Sequence, residues 1–187
     1  MNASAPPRWL AVIDLQPAFA DPASPWFTPD LERATQVIAQ LVPLYRDHVV
    51  FTRFVPPERL FGSWHAYYRK WPFALEDGAN RLWDVVEPWG AHRSVASHMF
   101  SKWGVLQDVL GQHPAVTLCG VSTDCCVLAT ALAAVDGGAD VRVVAEACAA
   151  KTQEAHERAL EIMDGRAPQL ALSSLAEERA LHQATAH

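Results

Sequence analysis

The 187-residue sequence has no cluster of lysine and arginine, no uninterrupted apolar run long enough to span a membrane, and no C-x-x-C pair. Each absence excludes a class. With 21 acidic against 15 basic side chains and a net charge of −6, the electrostatic footprint that nucleic acid demands is missing, so a phosphate polymer is not an expected partner. Met1 to Arg8 does not read as a basic segment leading into a long apolar stretch, and no later segment reads as a membrane span, so a cytoplasmic protein without a membrane partner is expected. Cys119, Cys125, Cys126 and Cys148 have neither paired spacing nor histidines at zinc-finger distances. Free thiols are therefore expected, with no disulfide framework and no structural zinc. Lysine is scarce, at Lys70, Lys102 and Lys151 only.

What is present is an ordinary globular composition, 50% hydrophobic and 19% charged, too apolar for a disordered chain. A chain of this length fits one domain, 1–187, and buries a core without staples. No repeat or low-complexity tract appears.

Short apolar runs at Trp9–Ile13, Val49–Phe54, Ser94–Phe100, Ala115–Cys119, Val141–Ala145 and Gln169–Leu172 read as buried strands. Between them Asp30–Tyr45, Gly104–Leu110, Cys125–Asp136 and Thr152–Met163 carry apolar residues at helical spacing. Strand-then-helix alternation implies a mainly parallel sheet covered on both faces. The segment Pro56–Pro88 breaks the pattern: prolines and the aromatics Phe61, Trp64, Tyr67, Tyr68, Trp71 and Phe73 fall there without clean periodicity. A long irregular insert in a compact domain is commonly a binding loop.

Ligands of open parallel sheets bind beyond the carboxyl ends of the strands. Asp14 ends the first strand, just before Pro17; an isolated aspartate there is also an ordinary turn or cap residue. The fourth strand runs into Gly120-Val121-Ser122-Thr123-Asp124-Cys125-Cys126-Val127 and then an apolar helix. A thiol at a helix N-terminus meets unpaired N–H groups and positive partial charge, which favour a thiolate and an oxyanion. Both cysteines are equally acceptable as small packing residues.

The segment Gly120–Val127 with Thr130-Ala131 resembles the nucleophile motif of isochorismatase-like cysteine hydrolases, G-V-x-T-D-x-C-V-x-x-T-A. The resemblance extends to Asp14-Leu15-Gln16 with Phe19, similar to an opening D-x-Q-x-x-F, and to Glu146-Ala147-Cys148-Ala149 with His156, similar to D-A-C-A and a downstream histidine. It covers nearly the whole chain. It implies a three-layer α/β/α sandwich around a six-stranded, mainly parallel sheet, and a catalytic set of Asp14, Lys102 and Cys126. It further implies oxyanion donors at the backbone N–H groups of Ser122 and Cys126, a cis Val121–Ser122 peptide, and a homodimer or larger homo-oligomer. The family's usual V-x-K is replaced here by Val95-Ala96-Ser97, followed by His98 and then Phe100-Ser101-Lys102-Trp103. Lys102 is the expected cation and His98 the alternative.

The reading that follows is a hydrolase of a small amide-like C–N bond acting through a thioester, without a cofactor. Its substrate would sit against Gln16, Phe19, Trp64, Tyr68 and Cys125, in a largely apolar pocket that also draws on Trp26 and Phe27. Nicotinamide-like, carbamoyl and maleamate-like amides all fit that description. The family's metal-binding branch places an aspartate and spaced histidines after the second strand, whereas here Thr52–Glu58 has no such group and His65 is the one histidine of the insert; no metal is expected. Two alternatives stay open: vinyl ether hydrolysis of the isochorismatase type, which needs no thiol, and a binding module without catalysis.

Overall fold

The computed structural model describes residues 7–76 and 78–184. Six strands form one sheet: β1 (Trp9–Ile13), β2 (Val49–Phe54), β3 (Ser94–Ser97), β4 (Ala115–Val121), β5 (Asp140–Ala149) and β6 (Leu170–Ser173), in the order β3-β2-β1-β4-β5-β6. Every pairing is parallel. The central strand is apolar on both sides, and Leu10 to Ile13 are fully buried, as a strand covered by two helical layers requires. At the edge, β3 alternates exposed and half-buried residues.

The helices are α1 (Pro17–Ala20), α2 (Leu31–Tyr45), α3 (Trp64–Lys70), α4 (Trp103–Leu110), α5 (Leu128–Asp136), α6 (Gln153–Asp164) and α7 (Leu175–Ala184). The buried stripe of α2, Leu31, Ala34, Ile38, Leu41 and Tyr45, has the three- and four-residue spacing of one helix face. It lies with α7 on one face of the sheet, while α4, α5 and α6 cover the other. This is the three-layer α/β/α sandwich expected. Strand order reverses at β1, between β2 and β4, so the loops leaving β1 and β4 diverge and open a crevice there. Among the described residues no helix is long and apolar enough to cross a membrane.

Boundaries depart from expectation where local polar contacts intervene. The third strand stops at Ser97 rather than Phe100, and the Ser97 hydroxyl accepts the Met99 amide at 3.1 Å in the turn that follows. The fourth strand passes a bulge between Leu118 and Gly120 and continues to Val121. The expected helix from Cys125 begins as a π-helical turn, Thr123–Val127, before α5. The expected irregular insert holds α3 and two 3-10 turns, Pro72–Leu75 and Ala79–Trp83. Helix α7 was not expected, because its buried position is a glutamate, Glu178, rather than an apolar residue.

Candidate active site

Asp14 follows β1 with a positive φ of 49°, a left-handed conformation that aspartate tolerates better than most residues. Its side chain is fully buried. On the neighbouring strand Thr52 fixes it twice: the Thr52 hydroxyl accepts the Asp14 amide at 3.1 Å and donates to Oδ1 at 2.7 Å. The turn comes this close to β4 only because residue 120 is glycine. Gly120 has φ +111°, and a Cβ there would lie 2.1 Å from the Ile13 carbonyl oxygen.

The Lys102 ammonium, also fully buried, lies 2.9 Å from Asp14 Oδ2. It donates to the Met99 carbonyl at 2.5 Å and stands 4.9 Å from the Phe54 ring centre. Oδ2 itself receives no hydrogen bond of acceptable direction, so the pair is held by charge while a lone pair of that oxygen stays open. Lys102 occupies the N-cap of α4, and its amide donates to Thr130 Oγ1 at 2.9 Å. This explains the displaced lysine motif: the ammonium comes from the helix start beyond β3 and not from the strand itself. His98 instead packs edge-on to Phe61 and Trp64.

After β4 the chain passes a cis Val121–Ser122 peptide into the π-helical turn. There the Ser122 carbonyl accepts the amides of Cys125 and Val127, at 3.0 and 3.1 Å, and the Ser122 hydroxyl donates to Asp124 at 2.6 Å. From α6, His156 Nδ1 is hydrogen-bonded to Thr123 Oγ1 at 2.9 Å and ties the turn down. The two adjacent thiols act on one another, and this lowers Cys125 below an ordinary thiol and, together with burial, holds Cys126 well above one. Asp14 and Lys102 act on both sulfurs, Asp14 ahead of Lys102 at Cys126, whereas Asp124 outweighs either at Cys125. Cys126 therefore rests as a thiol near neutral pH, with the Asp14 carboxylate and the Lys102 ammonium among the charges that act on it.

In front of the turn lies a cavity of about 250 Å³. One wall is aromatic, made of Phe19, Trp26, Phe54, Tyr67, Trp71 and Phe100; the other holds Ser122, Asp124, Cys125 and Cys126, with Lys151 also in the lining. Of the five residues expected in the pocket, Phe19 and Cys125 line it and three do not. Gln16 is fully buried and acts as a clamp, donating to the carbonyls of Phe54 (3.0 Å) and Trp83 (2.8 Å) and accepting the Phe54 amide at 2.8 Å. Trp64 packs behind the wall on Tyr67 and Phe100, with ring centres 5.2 and 5.1 Å away. Tyr68 is buried with its hydroxyl unpartnered. Trp64 and Tyr68 share one face of α3, while Tyr67 lies on the adjacent face and, with Trp71 just past the helix end, meets the cavity. The spacing was visible in the sequence, but which face turns inward was not. Sequence reading also missed the roles of Thr52 and Lys151, single polar residues with no local pattern to mark them, and that of Thr130, which was noted only as part of the Gly120–Ala131 motif.

Among the described residues, no group of three or more histidines, cysteines, aspartates or glutamates converges as a metal-binding set. His65, beside Trp64 at the start of α3, is exposed.

Several solved structures share this fold. A cysteine hydrolase from Pseudomonas syringae pv. phaseolicola 1448A superposes with a TM-score of 0.82 over 100% of both chains at 18% identity. A pyrazinamidase of Pyrococcus horikoshii, in complex with zinc, gives 0.66 over 90% of this chain and 99% of that one at 23% identity. A nicotinamidase from Staphylococcus aureus gives 0.60 over 89% and 98% at 20% identity. The Xenopus laevis isochorismatase domain-containing protein 2 is 47% identical over 38 residues, a stretch that spans 20% of this chain and 18% of that relative. The sequence model of the isochorismatase domain matches residues 8–174, from the start of β1 to the start of α7, and the chain accordingly belongs to the isochorismatase-like hydrolase family.

Proposed function

We propose that the protein hydrolyses a small amide-like C–N bond through a thioester on Cys126. The observation that carries this reading is the buried Asp14–Lys102 pair acting on a cavity-lining thiol, with Asp14 Oδ2 engaged by Lys102 alone. Oδ2 accepts the Cys126 proton while the Lys102 charge offsets the negative charge that forms, and the thiolate attacks the carbonyl carbon. The resulting oxyanion is received by the backbone N–H groups of Ser122 and Cys126. Protonated Asp14 returns the proton to the departing amine, and water then cleaves the thioester with Asp14 as base. A cavity of about 250 Å³ lies below the roughly 300–1,000 Å³ typical of drug-sized ligands, which favours a small substrate with an apolar body. The pyrazinamidase and nicotinamidase of the same fold make primary carboxamides the first compounds to try.

A panel of small carboxamides, ureas and carbamoyl compounds, assayed for ammonia release, tests the reaction class. Rapid quenching with a turned-over amide should give an intact mass raised by one acyl group, located on Cys126. Amide turnover that survives Cys126→Ala would overturn the thioester reading.

A further inference from the structure

We infer that Lys151 is a specificity-determining residue of the cavity, binding a carboxylate on the substrate, so that the favoured substrates are small amides that also carry an acid group. This rests on the amide reading above and names the substrate class within it.

The chain has only three lysines, Lys70, Lys102 and Lys151, and all three stand at this one cavity. The Lys102 ammonium lies 4.9 Å from the ring centre of Phe54 and that of Lys70 5.1 Å from the ring centre of Trp71; both rings belong to the lining, and Lys151 lines the cavity directly. In a protein of net charge −6, this placement concentrates positive charge around a single concave site. The three are not equally available. Lys102 is fully buried and committed to Asp14 and the Met99 carbonyl, and Lys70 stands against Trp71 without entering the lining. Lys151 follows the end of β5 at Ala149, beyond the carboxyl edge of the sheet, where ligands of parallel sheets bind. Its ammonium donates to the Pro25 carbonyl at 3.1 Å, and no carboxylate of the described residues pairs with it. Pro25 also lines the cavity and precedes Trp26, whose ring packs on Phe19, Phe54, Tyr67 and Trp71 of the same wall. The bond therefore fixes the ammonium relative to the aromatic wall without neutralising it, and N–H donors are left over for a ligand. An ionised carboxylate is a stronger acceptor for those donors than a neutral carbonyl. The one carboxylate in the lining, Asp124, sits on the thiol-bearing turn and accepts the Ser122 hydroxyl at 2.6 Å. Its charge disfavours a ligand carboxylate beside it, while that of Lys151 attracts one, so the two together orient an amide that bears an acid.

The test reads binding and needs no turnover. Iodoacetamide labelling of the peptide carrying Cys125 and Cys126 is followed by mass spectrometry, with succinamate or succinamide added in large excess as protectant; the two compounds differ only in a carboxylate against a carboxamide. Succinamate should protect at about tenfold lower concentration than succinamide, the scale of one hydrogen bond to a charged group. Lys151→Met should close most of that gap, and Lys151→Glu should reverse it. Equal protection by the two compounds in the parent, protection by neither, or a gap that either variant leaves intact overturns the inference. Melting curves establish that the variants fold, and Lys151→Gln removes the same charge should the methionine variant not fold. The amide reading fails on a different measurement, the absence of ammonia release or amide turnover that survives Cys126→Ala, so the two failures are distinguishable.

Discussion

Among the described residues two carboxylates are fully buried, Asp14 and Glu178, and they are treated in opposite ways. Glu178, on α7, has both oxygens engaged: Oε1 accepts from Ser173 at 2.7 Å, Oε2 from the Tyr45 hydroxyl, and Arg142 stands 3.8 Å away. Tyr45 in turn bonds Thr117 on β4 at 2.8 Å, so one carboxylate joins α2, α7, β4, β5 and β6. Asp14 has one oxygen engaged by Thr52 and the other facing Lys102 without a hydrogen bond. A carboxylate with both oxygens hydrogen-bonded is held in place and acts as a structural tie. One with an open oxygen beside a cation can take a proton and give it back. The same residue chemistry thus yields a bolt on one face of the sheet and, under the proposed function, a base at its carboxyl edge.

The sharpest way to break this comparison is to neutralise each carboxylate in turn. Asp14→Asn should lower kcat by at least about 10³-fold, as should Cys126→Ala, the scale expected when members of a covalent catalytic unit are removed. Asp14→Asn also strands Lys102 in the interior, which costs up to about 3–5 kcal/mol where a buried pair is broken; the Met99 carbonyl retained by the ammonium should hold the loss toward the lower end. Ammonia release and urea unfolding measured on one preparation separate the two effects.

Gly120→Ala joins both readouts. A Cβ 2.1 Å from the Ile13 carbonyl, at φ +111°, forces β4 away from the strand end that carries Asp14. A stability loss of at least about 3 kcal/mol is expected, accompanied by a fall in turnover. Unchanged turnover in a folded Gly120→Ala protein would mean that Asp14 does not depend on this close approach.

Glu178→Gln should do the reverse of Asp14→Asn. Losing the charge weakens two charge-assisted bonds and costs about 1–3 kcal/mol, while kcat stays within about twofold. A large drop in kcat with normal urea unfolding would show that the tie on the far face reaches the site, and the division between bolt and base would fail.

The sheet was readable from sequence because its signal is redundant. In β1, β2 and β4 nearly every residue is apolar, and an error of one residue at an end changes nothing. Asp14 and the Cys125-Cys126 turn were readable because each abuts a strand end and each falls in a motif resembling those of isochorismatase-like hydrolases; position alone left both open to a turn or packing role. Lys102 was readable only as the lysine between a strand and its helix; that it reaches Asp14 depends on the turn after Ser97 and on Thr130, neither of which periodicity describes. The pocket wall was half readable. Aromatic content marked the insert, but the choice between adjacent faces of α3 was decided by Gln16, which clamps Phe54 to Trp83, and by Trp26, whose ring centre lies within 6.3 Å of Phe19, Phe54, Tyr67, Trp71, Phe73 and Trp83. Tertiary packing of that kind leaves no local mark. Helix α7 was hidden for the same reason that Glu178 is interesting: a carboxylate occupies the position where a hydrophobic stripe would have announced the helix.

The smallest effect is expected at a third polar pair, Thr123 with His156, which shares features of both carboxylates. Like Glu178 it is hydrogen-bonded and largely buried, yet it fastens the turn that carries the thiols. Burial lowers the His156 pKa and Arg33 adds to this, against the opposing charges of Glu157, Asp30 and Asp124. Above the unfolded value of about 6.5 the imidazole is neutral in both states and its contribution to stability is complete. As pH falls through that value, the unfolded chain takes a proton that the folded chain resists, and stability is lost until the folded imidazole also titrates. His182 is lowered in the same direction by burial, so His156 accounts for only part of the slope. His156→Gln keeps a group able to bond Thr123 and removes the titration. The difference in Tm between pH 7.5 and pH 5.5 should therefore narrow, by about 1–2 °C for a small change in a domain of this size, with kcat within about threefold of the parent. If the Tm difference is unchanged while kcat collapses, His156 contributes to turnover through the thiol turn, and a buried, hydrogen-bonded polar group in this fold is not thereby confined to holding the structure together.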